Sequence, residues 1–490
     1  MGKSISFKNI PSITECDKFL MEQKLPHGKQ VREYVYSVLN QVRQEISKDN
    51  SGTLSVNNAE IMERVADEVR IRSDSIKSAI NATGVVVHTN LGRAPLSKDL
   101  IMKVLPKLCS YSTLELDLET GKRGTRDSRI RTMLRILSGA EDAMVVNNNA
   151  AAVYLMLKGL TKNQPDGFLP EVIVSRSELV EIGGSFRVPD IMREAGVKLV
   201  EVGTTNRCRL SDYEKAFTKN TSAILKVHPS NYKILGFTES VSVEKLSKLA
   251  HSKGIPCFHD WGSGSFYQFQ QSGLSEYTTV EQELSYSPDL LAFSGDKLLG
   301  GIQAGILLGK TENIQKLRKN ALYRTFRLDK VTLTLLEATL EAYMDIKSLP
   351  DQVPTVFLLE QTVEEISDKV KDFLAKINIT KKSLWSLEIR ETESKTGGGA
   401  MPDLNLGSAA LVLTHPKWSA LELQKWFRSQ PVPVITRVHE DQVWLDFRTI
   451  FQKDFDLSLI HISEPTRPRL STYAVFCLKK KWGGWGWGGG

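Results

Sequence analysis

Hydrophobic positions change their spacing twice along this chain. In HGKQVREYVYSVLNQVRQEISKD, Val31, Val35, Val38, Val42 and Ile46 recur every three to four residues, one apolar stripe on a helix. Ile61, Val65 and Val69 repeat the pattern in a following helix. Residues 1–75 therefore read as a small helical domain, with Lys24, Lys29, Arg32 and Arg43 on or near its first long helix. From AINATGVVVHTNLGRAPLS onward, short β-branched runs take over. AMVVNNN, EVIVSRSE, VKLVEVG, SAILKVHP, IPCFHDWGSGS and LLAFSGDK read as strands, and several are separated by helical stretches such as VEKLSKLAHSKG. That alternation predicts a mostly parallel sheet covered on both faces. The long helix DKVTLTLLEATLEAYM closes this region near residue 344. A smaller α+β unit follows over 345–456. Its helices are TVEEISDKVKDFLAKI and SALELQKWFRSQ, its strands include SAALVLTH, and PVITRVHEDQVWLDFRT carries a hairpin at His439-Glu440-Asp441.

Residues 457–490 show neither period and end in a lysine run and a Trp/Gly run. They resemble translated sequencing-adapter DNA and are set aside as an assembly scar, with the natural small domain expected to run on beyond about Asp456. The full chain of 490 residues has a net charge of +7; without the tail's five basic and one acidic side chains it is +3. So mild a charge permits a nucleic-acid partner without arguing for one. No apolar run reaches the length of a membrane helix, and the N-terminus has no secretory h-region. The five cysteines are scattered without a CxxC pair, which fits a reducing cytoplasm and predicts neither disulfides nor a zinc site. The histidines lack metal-ligand spacing and read as structural or surface, with His259 a candidate for a pocket wall.

Three strings carry candidate chemistry. VVNNNAAAV puts Asn147, Asn148 and Asn149 between a strand and a helix opened by Ala150, so free N–H groups and a positive dipole end can meet a phosphate. FHDWGSGS puts Asp260 at a strand end before a Gly/Ser turn, where a carboxylate can meet a buried cationic nitrogen. LAFSGDKLLGG puts Ser294, Asp296 and Lys297 among small residues after an apolar run. Alone, each string also fits an ordinary cap or turn. Their order is that expected of a pyridoxal-phosphate site: phosphate on Asn148, Asn149, Ala150 and Ser294, Asp260 on the ring nitrogen, and Lys297 on the aldehyde. Burial would lower the lysine's pKa into the nucleophilic range. AGILLGKT comes near a nucleotide-binding loop, but Ala304 replaces the first glycine and its interior reads as strand.

INATGVVVHTNLGRAPLS, VVNNNAAAV, SRSELVEIGGSFRVPDIM, VGTTNRC, HPSNYKILGFTE, DWGSGS, FSGDKLLGG and RTFRLDKVTLTLLEATLEAY together resemble the bacterial selenocysteine synthase family, the L-seryl-tRNA(Sec) selenium transferases. The likeness spans about residues 10 to 456. It implies an α/β fold-type-I pyridoxal-phosphate transferase, aspartate-aminotransferase-like. The catalytic domain would occupy 76–344, a tRNA-binding helical domain 1–75 and a small α+β domain 345–456. It further implies a cytoplasmic, ring-shaped homodecamer that takes seryl-tRNA(Sec) to selenocysteyl-tRNA(Sec) by β-replacement. The lysine removes the Cα proton, the hydroxyl leaves, and selenium arrives from selenophosphate. Lys297 carries over as the Schiff-base lysine and Asp296 as its acidic neighbour. Arg93, Arg324 and Arg327 carry over as selenophosphate-site residues. The chain departs from the family at Trp261, where a smaller aliphatic is usual, and at Ile302, where proline is usual. Two other readings stay open here. One is a related pyridoxal lyase or aminotransferase acting on a free amino acid or amino sugar, which would be expected to lack the 1–75 domain. The other is a catalytically silent tRNA-binding or scaffolding protein, against which the intact Asp260, Asp296 and Lys297 set argues.

Overall fold

The computed structural model describes residues 10–48, 57–73, 76–161, 167–182, 186–271, 273–377, 384–397, 399, 401, 404–430 and 432–455. The tail set aside above, 457–490, lies outside them. The chain divides into two compact units, one of residues 1–80 with 425–435 and one of 81–424 with 436–490.

In the first unit the expected helices form at Ile13–Glu22, Arg32–Lys48 and Asn58–Ser73. Ser12 and Glu15 close the first with a reciprocal capping box, each side chain bonded to the other's backbone N–H. The predicted stripe is the core: Val31, Val35, Val38 and Val42 bury against Ile61, Val65 and Val69, joined by Cys16 and Leu20, with Ile46 partly covered. Lys24, Lys29, Arg32 and Arg43 are exposed.

The second unit is built on a seven-stranded sheet: β1 (Asp142–Val146), β2 (Glu171–Ser175), β3 (Lys198–Val202), β4 (Thr221–Val227), β5 (Cys257–Ser263), β6 (Leu290–Ser294) and β7 (Gly305–Gly309). Their spatial order is β1-β7-β6-β5-β4-β2-β3. β2 pairs in parallel with β3 and β4, and β5 with β4 and β6, while β7 runs antiparallel to both its neighbours. Alternation along the strands explains why both faces are covered. Leu291 and Phe293 of β6 face helices Ser128–Ser138 and Lys330–Ala342 through Ile130, Leu134, Leu333 and Leu336. Leu290 and Ala292 face helix Asn149–Leu160 through Ala152, Val153 and Met156. Each of the larger of these side chains contributes about 1.5–3 kcal/mol by leaving water, so a charged residue at Phe293 would open the sheet at its centre. AGILLGKT falls on β7, and its lysine, Lys310, pairs with Asp289 at 2.6 Å instead of heading a phosphate loop.

The small sheet contains β8 (Ser386–Lys395), β9 (Asn405–Thr414), β10 (Val434–His439) and β11 (Gln442–Asp446). β9 pairs with β8 and β11, and β11 with β10. The hairpin falls where expected: Glu440 and Asp441 both take positive φ (50° and 55°) between the paired His439 and Gln442. β8 was not singled out from the sequence, because SLEIRETESK is largely polar and offers little apolar alternation. Among the described residues no helix is long and apolar enough to cross a membrane.

Candidate active site

Of the candidate side chains, Ser294 and Lys297 lie at or just past the carboxyl end of β6 and Asp260 lies in its parallel neighbour β5, the side of the sheet where α/β folds bind ligands. Lys297 follows β6 by three residues in a tight turn and is 4% exposed. Burial pushes its amine from 10.5 to about 8, with Arg93 adding to the shift and Asp260 and Asp296 opposing it. Neither a hydrogen bond nor an ion pair holds the amine among the described residues. Small residues surround it. A Cβ added at Gly262 would lie 3.8 Å from Lys297 Nζ, and one added at Gly399 would lie 3.5 Å away.

Asp260 does not end its strand, as the sequence had suggested. β5 runs on to Ser263 because the register with β6 shifts between Asp260 and Gly262, and Gly262 takes φ 74°. Asp260 therefore sits mid-strand, opposite Val227 at the end of β4. Burial pushes its carboxyl up to about 6, opposed by the Asn149 amide, the Lys297 charge and the Gly262 N–H.

The Asn turn is divided between two jobs. Asn148 caps the twelve-residue helix Asn149–Leu160, its side chain accepting from Ala151 N at 2.9 Å. The backbone N–H groups of Asn149 and Ala150 head the helix with no intrahelical acceptor. The Asn149 side chain turns instead to Asp260, donating from Nδ2 to Oδ1 at 2.7 Å. Gly305 makes this turn possible: a Cβ there would meet the Asn148 carbonyl oxygen at 2.2 Å. Ser294, the last residue of β6, is buried beside it in the sheet.

The arginines differ in their partners. Gly92 and Arg93 both take positive φ (85° and 64°), folding their turn back so that Arg93 Nη1 reaches Asp296 Oδ2 at 2.8 Å. Arg327 leans on Glu115 at 3.9 Å, a carboxylate it shares with Arg123 and Arg126. Arg324 is exposed and unpaired among the described residues. Its helix, Tyr323–Phe326, is tied to the Asn turn by Asn147 N donating to Phe326 O at 2.9 Å. His259 is buried with Nδ1 3.4 Å from Glu283, and burial holds its pKa well below the ordinary value.

Sequence reasoning missed Ser230 and Gly399. A Cβ at Gly399 would lie 3.2 Å from Ser230 Oγ, so that hydroxyl borders the lysine. The run of glycines at 397–399 was the available signal for Gly399. Buried polar atoms remain unpartnered around the lysine: Ser230 Oγ, Asn149 Oδ1 and Asp296 Oδ1. Burying a polar atom without a partner costs about 1–3 kcal/mol. Three in one place, beside an amine bounded by glycines and a helix N-terminus, fit a flat polar cofactor with a phosphate tail.

That fold and that donor set define the class: an α/β fold-type-I pyridoxal-phosphate transferase. The sequence comparisons narrow it. The family model for L-seryl-tRNA selenium transferase matches residues 79–451. The L-seryl-tRNA(Sec) selenium transferase of Alkaliphilus metalliredigens (strain QYMF) is 41% identical over 464 residues, covering 93% of this chain and 97% of its own. That of Clostridium perfringens (strain 13 / Type A) is 45% identical over 386 residues, covering 79% and 82%. Among solved structures, a D-glucosaminate-6-phosphate ammonia-lyase superposes with a TM-score of 0.56 at 17% identity, covering 80% of this chain and 96% of that one, a likeness of fold alone. The chain belongs to the L-seryl-tRNA selenium transferase family.

Proposed function

We propose that this protein converts seryl-tRNA(Sec) to selenocysteyl-tRNA(Sec) by β-replacement, with selenophosphate as the selenium donor. The observation that carries the reading is the convergence of Asp260, Asp296 and Lys297 on one buried, glycine-lined site in a chain of this family. Asn149 N–H, Ala150 N–H and Ser294 would hold the cofactor's phosphate, and Asp260 its ring nitrogen. Pyridoxal phosphate supplies an aldehyde and an electron-accepting ring.

Lys297 does the proton work. With a pKa near 8, much more of the amine is neutral at cytoplasmic pH than for an exposed lysine, so it can attack a carbonyl and accept the seryl Cα proton at Nζ. The Arg93 guanidinium keeps the neighbouring Asp296 charge balanced, which limits how far that carboxylate can raise the amine's pKa. Arg93, Arg324 and Arg327 are the cations offered to selenophosphate, Arg324 with its guanidinium unengaged and Arg327 on a carboxylate shared three ways. The helical segment 1–75 docks the tRNA through Lys24, Lys29, Arg32 and Arg43, all exposed. The working enzyme is a cytoplasmic homodecamer with a catalytic domain at 76–344 and a small domain at 345–456.

The deciding test incubates the purified holoenzyme with charged seryl-tRNA(Sec) and selenophosphate. Selenocysteyl-tRNA is the expected product. Turnover of free serine or an amino sugar with no tRNA product would replace this reading with the lyase or aminotransferase one. Deleting residues 1–75 is expected to weaken tRNA binding sharply, and equal affinity of the truncated form would refute the domain's role.

A further inference from the structure

A cavity of about 720 Å³ opens in the larger unit, within the range of small-molecule sites (~300–1,000 Å³). Its wall includes His228 and Pro229, directly before Ser230, and Met401, two residues after Gly399. Ser230, Gly262 and Gly399 lie about Lys297 Nζ, so the chain that walls the cavity runs on within one or two residues into the surroundings of the amine. Two tyrosines stiffen that wall. Tyr232 donates its hydroxyl to the Ser177 carbonyl. Tyr277 donates to the Ser263 carbonyl at 2.6 Å, and Trp261 backs its ring at 5.3 Å and 10°. With both hydroxyls engaged, the tyrosines offer ring surface to whatever enters. The departure at Trp261 thus has a place in the wall's construction.

Charge decides what that ligand is not. The lining holds three carboxylates, Glu178, Glu239 and Glu276, against two amines, Lys226 and Lys233. Glu178 and Lys226 already pair at 2.5 Å. Glu239 is held by Arg207 and Arg209, so those guanidinium groups are already engaged and are not left free for a phosphate or a polyphosphate. A flat group with polar edges and a sugar suits these walls better.

Resting on the transferase reading above, we propose that this cavity receives the 3′-terminal nucleoside of the aminoacyl-tRNA, its base against Tyr232 and Tyr277. An amino acid carried by tRNA is esterified to the ribose of the last nucleotide. The nucleoside must therefore lodge beside the amine that reaches the seryl group.

The test uses the full-length holoenzyme with Tyr232→Ala and Tyr232→Phe. The probe is serine joined by an amide to 3′-amino-3′-deoxyadenosine, with an abasic version as control. Tyr232→Ala is expected to raise the KM for seryl-tRNA(Sec) and the probe's Kd by about tenfold, within the range for losing one base-stacking ring. Tyr232→Phe keeps the ring and is expected to match the wild type. The abasic probe should bind weakly and indifferently to all three. Unchanged KM and Kd in Tyr232→Ala would overturn the proposal, as would equal losses in the Ala and Phe variants. Should the wild type fail to convert seryl-tRNA(Sec), the transferase reading falls, and the probe's Kd on wild type against Tyr232→Ala still decides the cavity.

Discussion

Two lysines of the larger unit share one perturbation and differ in everything around it. Burial pushes both Lys297 and Lys369 from 10.5 down to about 8. Lys369 spends its three protons on Gln361 Oε1, Phe447 O and Ile450 O, each at 2.9 Å. That amine is a rivet between helix Val363–Lys376 and the loop after β11. Lys297 has no such acceptor among the described residues, and its neighbours Ser230 Oγ, Asn149 Oδ1 and Asp296 Oδ1 are unsatisfied as well. A lowered pKa alone does not separate a catalytic amine from a structural one. Unmet hydrogen-bonding capacity around open space does.

The contrast breaks most directly at Lys297. Lys297→Ala is expected to abolish the near-visible absorbance of the cofactor-bound protein and to cut turnover by at least about 10³-fold, with the thermal midpoint of the cofactor-free protein nearly unchanged. Retained absorbance would show that another amine holds the cofactor. Asp260→Asn comes next. It keeps the shape and the neighbour of the carboxylate but not its charge, so turnover should fall about 10²-fold while absorbance persists; an unaffected rate would remove Asp260 from the site. Lys369→Met should do the reverse. It strands three buried acceptors at about 1–3 kcal/mol apiece, less what water recovers, so a loss of about 2–4 kcal/mol is expected in denaturant melts. Absorbance and KM should stay at wild-type values. Catalytic loss without destabilisation would make Lys369 more than a rivet.

Where the two lysines stand in the sequence explains how much could be read there. Lys297 was legible because LAFSGDKLLGG joins a strand period to a run of small residues, and local patterns survive folding. Strands β1 to β7 were legible for the same reason. Lys369 was not, since its helix shows a lysine every few positions and nothing local marks the one that turns inward. Contacts between distant segments were equally hidden. Arg93 and Asp296 are 203 positions apart, and Asn149 and Asp260 are 111 apart. From its neighbours alone Asn149 reads as a phosphate ligand. Only the fold shows its side-chain amide turned to the carboxylate. The position of Asp260 within β5 depends on a register shift that no alternation of apolar residues announces.

The smallest expected effect sharpens the comparison furthest. Arg93 lies beside Asp296 and helps to hold the Lys297 pKa down, whereas Arg448 plays that part for Lys369. The neutral amine is the nucleophile, so capture of added pyridoxal phosphate by the cofactor-free protein should accelerate as pH rises through about 8. Arg93→Ala removes a nearby positive charge and leaves the Asp296 carboxylate uncompensated. Both changes favour the protonated amine, so the inflection should move to higher pH and capture at neutral pH should slow. Arg448→Met, which of the two lysines perturbs only Lys369, should leave that profile where it was. A profile that shifts equally in both variants would mean that the two amines are not electrostatically independent. A profile that moves in neither would mean that desolvation alone sets the reactivity of Lys297.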